Sequence, residues 1–251
     1  EITTRAKELG MNSLAITDHG VMYGVIDFYK AAKDAGIKPI LGCEVYVAPG
    51  SRFDKEAGDS EDRYYHLVLL AENNQGYENL MKIVSHGFTD GFYYKPRIDY
   101  ELLEQYHEGI IALSACLAGE VQKFLARGMY EAGMDAAYKY EKIFGKGNFF
   151  LELQDHGIPE QKYVNQQLMR LTKETGIDLV CTNDVHYTYA DDADAHDILL
   201  CIQTGKKQRL HPIIMLNMMV TSTAFIIPMQ IVRVLYVQLL KPSRYMLTAR
   251  E

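Results

Sequence analysis

Residues 14–47 read LAITDHGVMYGVIDFYKAAKDAGIKPILGCEVYV. A short branched-apolar run (14–17) meets a Asp-His-Gly turn. A helical pattern follows over 23–35, with Val25, Phe28, Tyr29 and Ala32 on one face, and stops at Gly36. A second apolar run then fills 39–47. Strand, helix, strand in this order is a βα unit of a parallel sheet. The alternation continues to residue 207. Strands are expected at 66–70, 110–113, 149–153 and 179–182, and helices at 78–84, 100–106, 121–144 and 160–175, with Gly109, Gly145 and Gly176 near the stops. Such a repeat implies an α/β architecture. The opening helical stretch ITTRAKELG is expected to follow a further strand lying before Glu1, which would make seven.

Strand ends are where an α/β barrel presents its chemistry, and here they carry metal-type ligands. Asp18 and His19 end the first run, and Glu44 sits inside the apolar ILGCEVYV. Cys116 follows IIALSA, and Asp184 and His186 form D-x-H after LVCTN. Carboxylate, imidazole and thiolate together suit zinc or a similar divalent ion. A carboxylate in a strand as apolar as that of Glu44 needs a cation or a hydrogen-bond donor. The two-residue spacing of Asp184 and His186 points both to one face. His66 precedes its strand, the wrong end for a parallel barrel. Either that strand runs antiparallel or His66 is a core histidine. Glu152 and His156, in FLELQDHG, are weaker candidates of the same kind. His86, His107, His196 and His211 have no companions at ligand spacing and read as ordinary surface or core histidines. Ions held in such a cluster would suit hydrolysis of a phosphoester. No Walker loop, GxSxG or dinucleotide fingerprint competes.

Composition limits the alternatives. The net charge of −7 argues against a protein that coats nucleic acid by bulk charge. The four cysteines are widely spaced with no CxxC pair, so reduced thiols and a cytoplasmic setting are expected. The stretch 91–99, GFYYKPRID, places three aromatics beside Lys95 and Arg97. It reads either as an apolar connector with snorkelling bases or as a stacking and phosphate-contact loop. The loop 48–63 is polar and glycine-rich. After Lys207 the composition changes. Residues 1–207 carry a net charge of −11 and residues 208–251 carry +4, with five of the eleven methionines. Within the tail, 213–232 has no charged side chain and could in length cross a bilayer. Asn217, Gln230 and Pro228 oppose that, and the favoured reading is an atypical, frame-shifted tail that does not fold natively.

The quoted pieces, with YYHLVLLAENNQGYENLMKIVS, LSACLAGEV and TNDVHY, closely resemble the N-terminal polymerase-and-histidinol-phosphatase (PHP) domain of bacterial DNA polymerase III alpha subunits. The resemblance spans about residues 1–207. It implies a distorted seven-stranded β/α barrel of PHP type, with the first strand not included, and a cluster of up to three metals. Carried over by position, it assigns His19, Glu44, His66, Cys116, Asp184 and His186 as metal ligands, with Asp18 beside them. The family's H-x-H pair lies before Glu1. Zinc or manganese is implied at this cluster, and magnesium for the polymerase of the parent enzyme. The resemblance further implies a DNA-directed DNA polymerase acting in replication. Its PHP portion serves as a metal-dependent 3′–5′ exonuclease-type proofreading module or as a scaffold. Asp184 and His186 would be catalytic, and Lys95 or Arg97 would hold the DNA backbone. The polymerase palm is not in this segment, so the chain is not expected to polymerise by itself. DNA and other replicase subunits are the implied partners, with no membrane. Two other readings stay open: a stand-alone phosphoesterase for a small phosphate ester, and a non-enzymatic scaffold.

Overall fold

The computed structural model describes residues 1–56 and 63–205, together with the backbone of 234–235 and 238–239. The opening helix α1 (Ile2–Glu8) leads into β1 (Ser13–Ile16), α2 (Val25–Ala35) and β2 (Lys38–Val47). This is the strand–helix–strand unit expected from the sequence. Gly36 closes α2 in the left-handed conformation at φ 73°, where a side chain would be strained. After β3 (Tyr65–Ala71) come α3 (Asn74–Thr89), the hairpin β4 (Phe92–Tyr93) and β5 (Lys95–Ile98), α4 (Tyr100–Tyr106) and β6 (Ile110–Leu113). The chain continues through α5 (Glu120–Ala126), α6 (Tyr130–Phe144), β7 (Phe149–Leu153), α7 (Pro159–Thr175), β8 (Leu179–Cys181) and α8 (Ala193–Thr204). Short strands β9 (Val234–Leu235) and β10 (Gln238–Leu239) follow.

Three elements differ from expectation. The single helix expected over 121–144 is two, because the chain breaks at Arg127–Met129 with Gly128 at φ 73°. The segment 91–99 is a hairpin rather than a plain connector. Helix α8 was not expected, because its polar start carries no clear apolar period.

The sheet is a curled half-barrel with helices outside. Its path runs β10-β8-β7-β6-β3-β2-β1-β9. β1 with β2, β6 with β7 and β7 with β8 pair in parallel. β3 is antiparallel to both of its neighbours, β2 and β6. This reversal settles the position of His66: the start of β3 lies at the same sheet edge as the ends of the other strands. β9 and β10 pair antiparallel with β1 and β8. The remaining residues of the expected tail, including the boundary at Lys207 and the apolar stretch 213–232, lie outside the described residues. Among those described, no helix is long and apolar enough to cross a membrane.

The period of two sorts the side chains. On β2, Cys43, Val45 and Val47 pack outward with Leu67 and Leu69 of β3, Ala112 of β6 and Leu151 of β7, beneath α3, α6 and α7. The opposite face carries Ala15, Val68, Leu70, Leu113, Ala115 and Val180 in a smaller inner cluster. Glu44, His66 and Glu152 alternate with the outward set, so they belong to this inner face. The apolar inner layer ends where these polar side chains begin.

Candidate functional site

Backbone pairing carries the loops after β1 and β6 beyond the strands proper. Glu44 N–H donates to the Asp18 carbonyl at 3.0 Å, and Gly20 N–H to the Glu44 carbonyl at 2.8 Å. His66 N–H donates to the Ala118 carbonyl at 3.0 Å. His19 is thereby held beside Glu44, and the Cys116 loop beside His66. Gly20 is required here. It sits at φ +67°, and a Cβ on it would lie 2.8 Å from the Tyr46 ring.

His19, Glu44 and His66 meet at the inner mouth of the sheet, with one ligand atom from each lying within 4.8 Å of the others. Glu44 Oε1 is 3.1 Å from His19 Nδ1 and 2.6 Å from His66 Nδ1. Two donors each about 2.1 Å from a shared ion sit no more than ~4.2 Å apart, so the trio fits a divalent ion after small side-chain adjustment. The chemistry of the set agrees, because Glu44 is fully buried and a buried carboxylate between imidazoles is the arrangement a cation stabilises. Burial, with the nearby charges of Lys123 and Lys95, pushes His66 down to about 4. It is a neutral imidazole at pH 7, the state a metal requires.

The other expected residues surround this trio. Cys116 Sγ lies 3.6 Å from His66 Nδ1. Burial, with the charges of Asp184 and Glu152, pushes its thiol up to about 12. His186 stands with its ring 5.9 Å from that of His19. Its Nδ1 is 2.9 Å from the Asp184 carbonyl, which fixes the ring and leaves Nε2 for the site. Burial, and then the charge of Glu152, pushes the Asp184 carboxyl up to about 7 against a hydrogen bond from Gln154. The Asp184 backbone is left-handed at φ 47°, a costly conformation that recurs at functional sites. Asp18 is buried, and its carbonyl also accepts from Cys43 Sγ at 3.3 Å.

Glu152 lies deeper. Its Oε1 accepts from Thr182 Oγ1 at 2.5 Å and from Gln154 Nε2 at 3.0 Å. Oε2 is buried with no hydrogen-bond partner among the described residues, and burial raises the carboxyl above its ordinary range. His156 is not in the trio. Its Nε2 is 2.6 Å from the Asn183 carbonyl, and its Nδ1 accepts from Gln161 at 2.9 Å, so it pins the loop that presents Asp184.

Lys95 and Arg97 part company. Arg97 is 4% exposed. Its guanidinium donates to the carbonyls of Gly91, Arg52 and Asp54, which leaves no reach toward a backbone phosphate. Lys95 Nζ lies over the Tyr46 ring, 5.4 Å from its centroid, at the edge of the site.

Sequence reasoning missed His196, whose ring is 5.6 Å from His186, because a lone histidine on α8 carries no ligand spacing. It also missed the rings lining the mouth. Tyr46 lies 5.3 Å from His66 and 4.9 Å from Tyr64. Alternation along β2 places Tyr46 on the Glu44 face and was the available signal.

Known proteins resemble this sequence over most of its length. "DNA polymerase III subunit alpha" of Treponema pallidum is 51% identical over 207 residues, which is 82% of this chain and 18% of that protein. The namesake of Borreliella burgdorferi is 45% identical over 208 residues (83% and 18%). That of Deinococcus radiodurans is 49% identical over 195 residues (76% and 14%). The chain thus spans less than a fifth of the length of these relatives. A solved chain from Bifidobacterium adolescentis aligns with 79% of this one at 14% identity and a TM-score of 0.42, too loose a likeness to carry an argument. The family description "PHP domain" matches residues 1–156, and on that match this chain belongs to the PHP domain family.

Proposed function

We propose that this chain is the PHP portion of a bacterial DNA polymerase III alpha subunit and that its site hydrolyses phosphoesters with divalent ions, zinc or manganese. Residues 1–207 form the domain, and 208–251 are an atypical, frame-shifted tail. The observation that carries the reading is the convergence of His19, Glu44 and His66 at the open edge of the inner sheet face.

In this reading His19, Glu44 and His66 hold one ion, and Cys116, Asp184 and His186 complete the ligand cluster, with Asp18 beside them. Bound ions would supply Lewis-acid activation of water and stabilise charge on the phosphoryl oxygens. Asp184 and His186 would act catalytically as ligands of the ions that lower the pKa of the attacking water. Gln154 and Glu152 orient Asp184 from behind, and His156 fixes its loop. Lys95 supplies positive charge at the mouth for the substrate phosphate. The buried inner layer behind the cluster keeps bulk water to the open side.

The setting proposed is a cytoplasmic replicase, with DNA and the other replicase subunits as partners and magnesium at the polymerase centre of the parent enzyme. Proofreading in the 3′–5′ direction is the activity we assign to this portion. The test is elemental analysis of the purified chain, followed by hydrolysis of bis(p-nitrophenyl) phosphate and of a 3′-mismatched primer with Mn²⁺ or Zn²⁺. Bound ions with hydrolysis of both substrates support the reading. Ions with activity on bis(p-nitrophenyl) phosphate but not on the primer favour a stand-alone phosphoesterase, and a stable fold that takes up no ion favours a scaffold.

A further inference from the structure

Among the described residues, three that are not glycine have positive φ: Tyr94 at 60°, Ala115 at 65° and Asp184 at 47°. Ala115 precedes Cys116, and Asp184 belongs to the site itself. Tyr94 is the third, and nothing assigned so far uses it. It forms the tip of the β4–β5 hairpin, between the pairs Phe92↔Pro96 and Tyr93↔Lys95. Glycine or asparagine meets such a turn at little cost, whereas a bulky side chain there is an outlier. Gly91 shows that glycine stands where this hairpin needs one: a Cβ on it would lie 1.8 Å from the Arg97 carbonyl. The turn thus holds an aromatic side chain in a conformation that glycine would meet at less cost.

Burial does not explain it, because Tyr94 is 63% exposed. One face of its ring carries the Arg63 guanidinium, 4.3 Å from the centroid. The Tyr93 ring meets it edge-on at 4.7 Å. The next residue, Lys95, reaches over Tyr46, and Tyr46 contacts both His66 and Tyr64. Tyr64 follows Arg63 in the chain. An exposed, cation-backed ring is thus linked through Lys95, Tyr64 and Tyr46 to His66 and His19. Lys95, Arg63 and Lys123 give this rim positive charge in a chain whose net charge is −7. Aromatic faces interleaved with cations bind single-stranded nucleic acid through stacking and phosphate contacts.

We infer that Tyr94, backed by Arg63, is a stacking platform for a base of single-stranded nucleic acid, and that Lys95 guides the adjoining phosphate toward His19, Glu44 and His66. The inference rests on the phosphoesterase reading for what happens at the strand end. The platform itself is tested by binding alone. Tyr94 selects a base-bearing strand over a bare phosphodiester, and its backbone strain is the cost of holding the ring at the mouth.

The experiment is fluorescence anisotropy with the whole chain and three labelled probes of equal length: oligothymidylate, oligouridylate and an abasic deoxyribose-phosphate oligomer. Wild type is expected to prefer both base-bearing probes over the abasic one. Tyr94→Gly, which suits φ 60°, is expected to weaken oligothymidylate binding about 10-fold, in line with the loss of one stacked base. Its affinity for the abasic probe should change less than twofold, and its unfolding midpoint should not fall. Tyr94→Trp should restore the preference. Equal wild-type affinity for oligothymidylate and abasic probes overturns the inference, as does an equal loss on both in Tyr94→Gly. Failure of the phosphoesterase reading shows separately, as wild type inert toward bis(p-nitrophenyl) phosphate with Mn²⁺ or Zn²⁺.

Discussion

Glu44→Gln is the sharpest probe of the donor trio. Glu44 is fully buried, and one of its oxygens faces both imidazoles, at 3.1 Å from His19 Nδ1 and 2.6 Å from His66 Nδ1. The amide keeps the shape and removes the anionic ligand. An ion at about 100 times its Kd stabilises a folded protein by ~2.7 kcal/mol. For a chain of this size that is a rise in Tm of roughly 5–10 °C. Changes that merely reorient a ligand cost about 10–100-fold in affinity, so losing a central ligand should cost at least ~100-fold. At the same ion concentration the variant then gains only ~0.4 kcal/mol, a shift of about 1 °C. In EDTA the two proteins should agree within about 1 kcal/mol, because the substitution is isosteric. The assay is thermal unfolding followed by circular dichroism on EDTA-treated protein, repeated with Zn²⁺ and with Mn²⁺. If wild type does not move with either ion, or Glu44→Gln moves as far as wild type, the trio is not an ion site.

Three further outcomes follow from the packing. Asp99→Ala should cost about 3–5 kcal/mol in urea unfolding, because buried Asp99 accepts from Arg52 Nη1 at 2.9 Å, from the Arg52 N–H at 2.9 Å and from the α4 Leu102 N–H at 3.2 Å. Glu101→Gln, at the solvent end of the same arginine, should cost under about 1 kcal/mol, and similar losses in the two would refute the clamp. Gly20→Ala should lower stability by roughly 1–3 kcal/mol and weaken ion binding, since its Cβ would press on Tyr46 from a left-handed backbone; an unchanged midpoint and ion affinity would count against the tight turn. Burial pushes the phenols of Tyr46, Tyr100 and Tyr140 up. The unfolded chain releases these protons near pH 10 while the folded chain keeps them. Stability should therefore fall above pH 10, by about 1.4 kcal/mol per pH unit for each phenol. Absorbance titration should show these tyrosines ionising only on unfolding, and early ionisation in a native protein would contradict the packing.

Much of this was legible in the sequence, for physical reasons. The strands at 110–113 and 149–153 fall where expected, because branched apolar runs between glycine stops leave few alternatives. Glu44 stood out because a carboxylate in a buried strand must meet a cation or donor. The reversal of β3 was not legible. Residues 66–70 alternate the same way whichever direction the strand runs, and pairing partners decide the direction. Lys95 and Arg97 look equivalent in GFYYKPRID. Two residues apart on β5, they share a face by alternation, so only tertiary contacts separate them: Lys95 at the hairpin end reaches over Tyr46, while Arg97 meets the carbonyls of Gly91, Arg52 and Asp54. His196 was invisible because α8 approaches His186 only through the tertiary fold.

The reversed β3 also bears on the order of assembly. Glu44 and His66 lie on one antiparallel ribbon, and His19 joins it through the neighbouring β1–β2 pairing. The trio is therefore encoded between Ser13 and Ala71, by contacts between strands adjacent in sequence. Asp184 and His186 arrive through β8, after the sheet has extended across β6 and β7. Short sequence separations close fast and long ones slowly. Half of the site can thus form while the chain is still leaving the ribosome, and an ion captured there would act as a folding nucleus before Asp184 and His186 are in place. Hydrogen exchange during refolding, with and without Zn²⁺, would show this as early protection of β2 and β3.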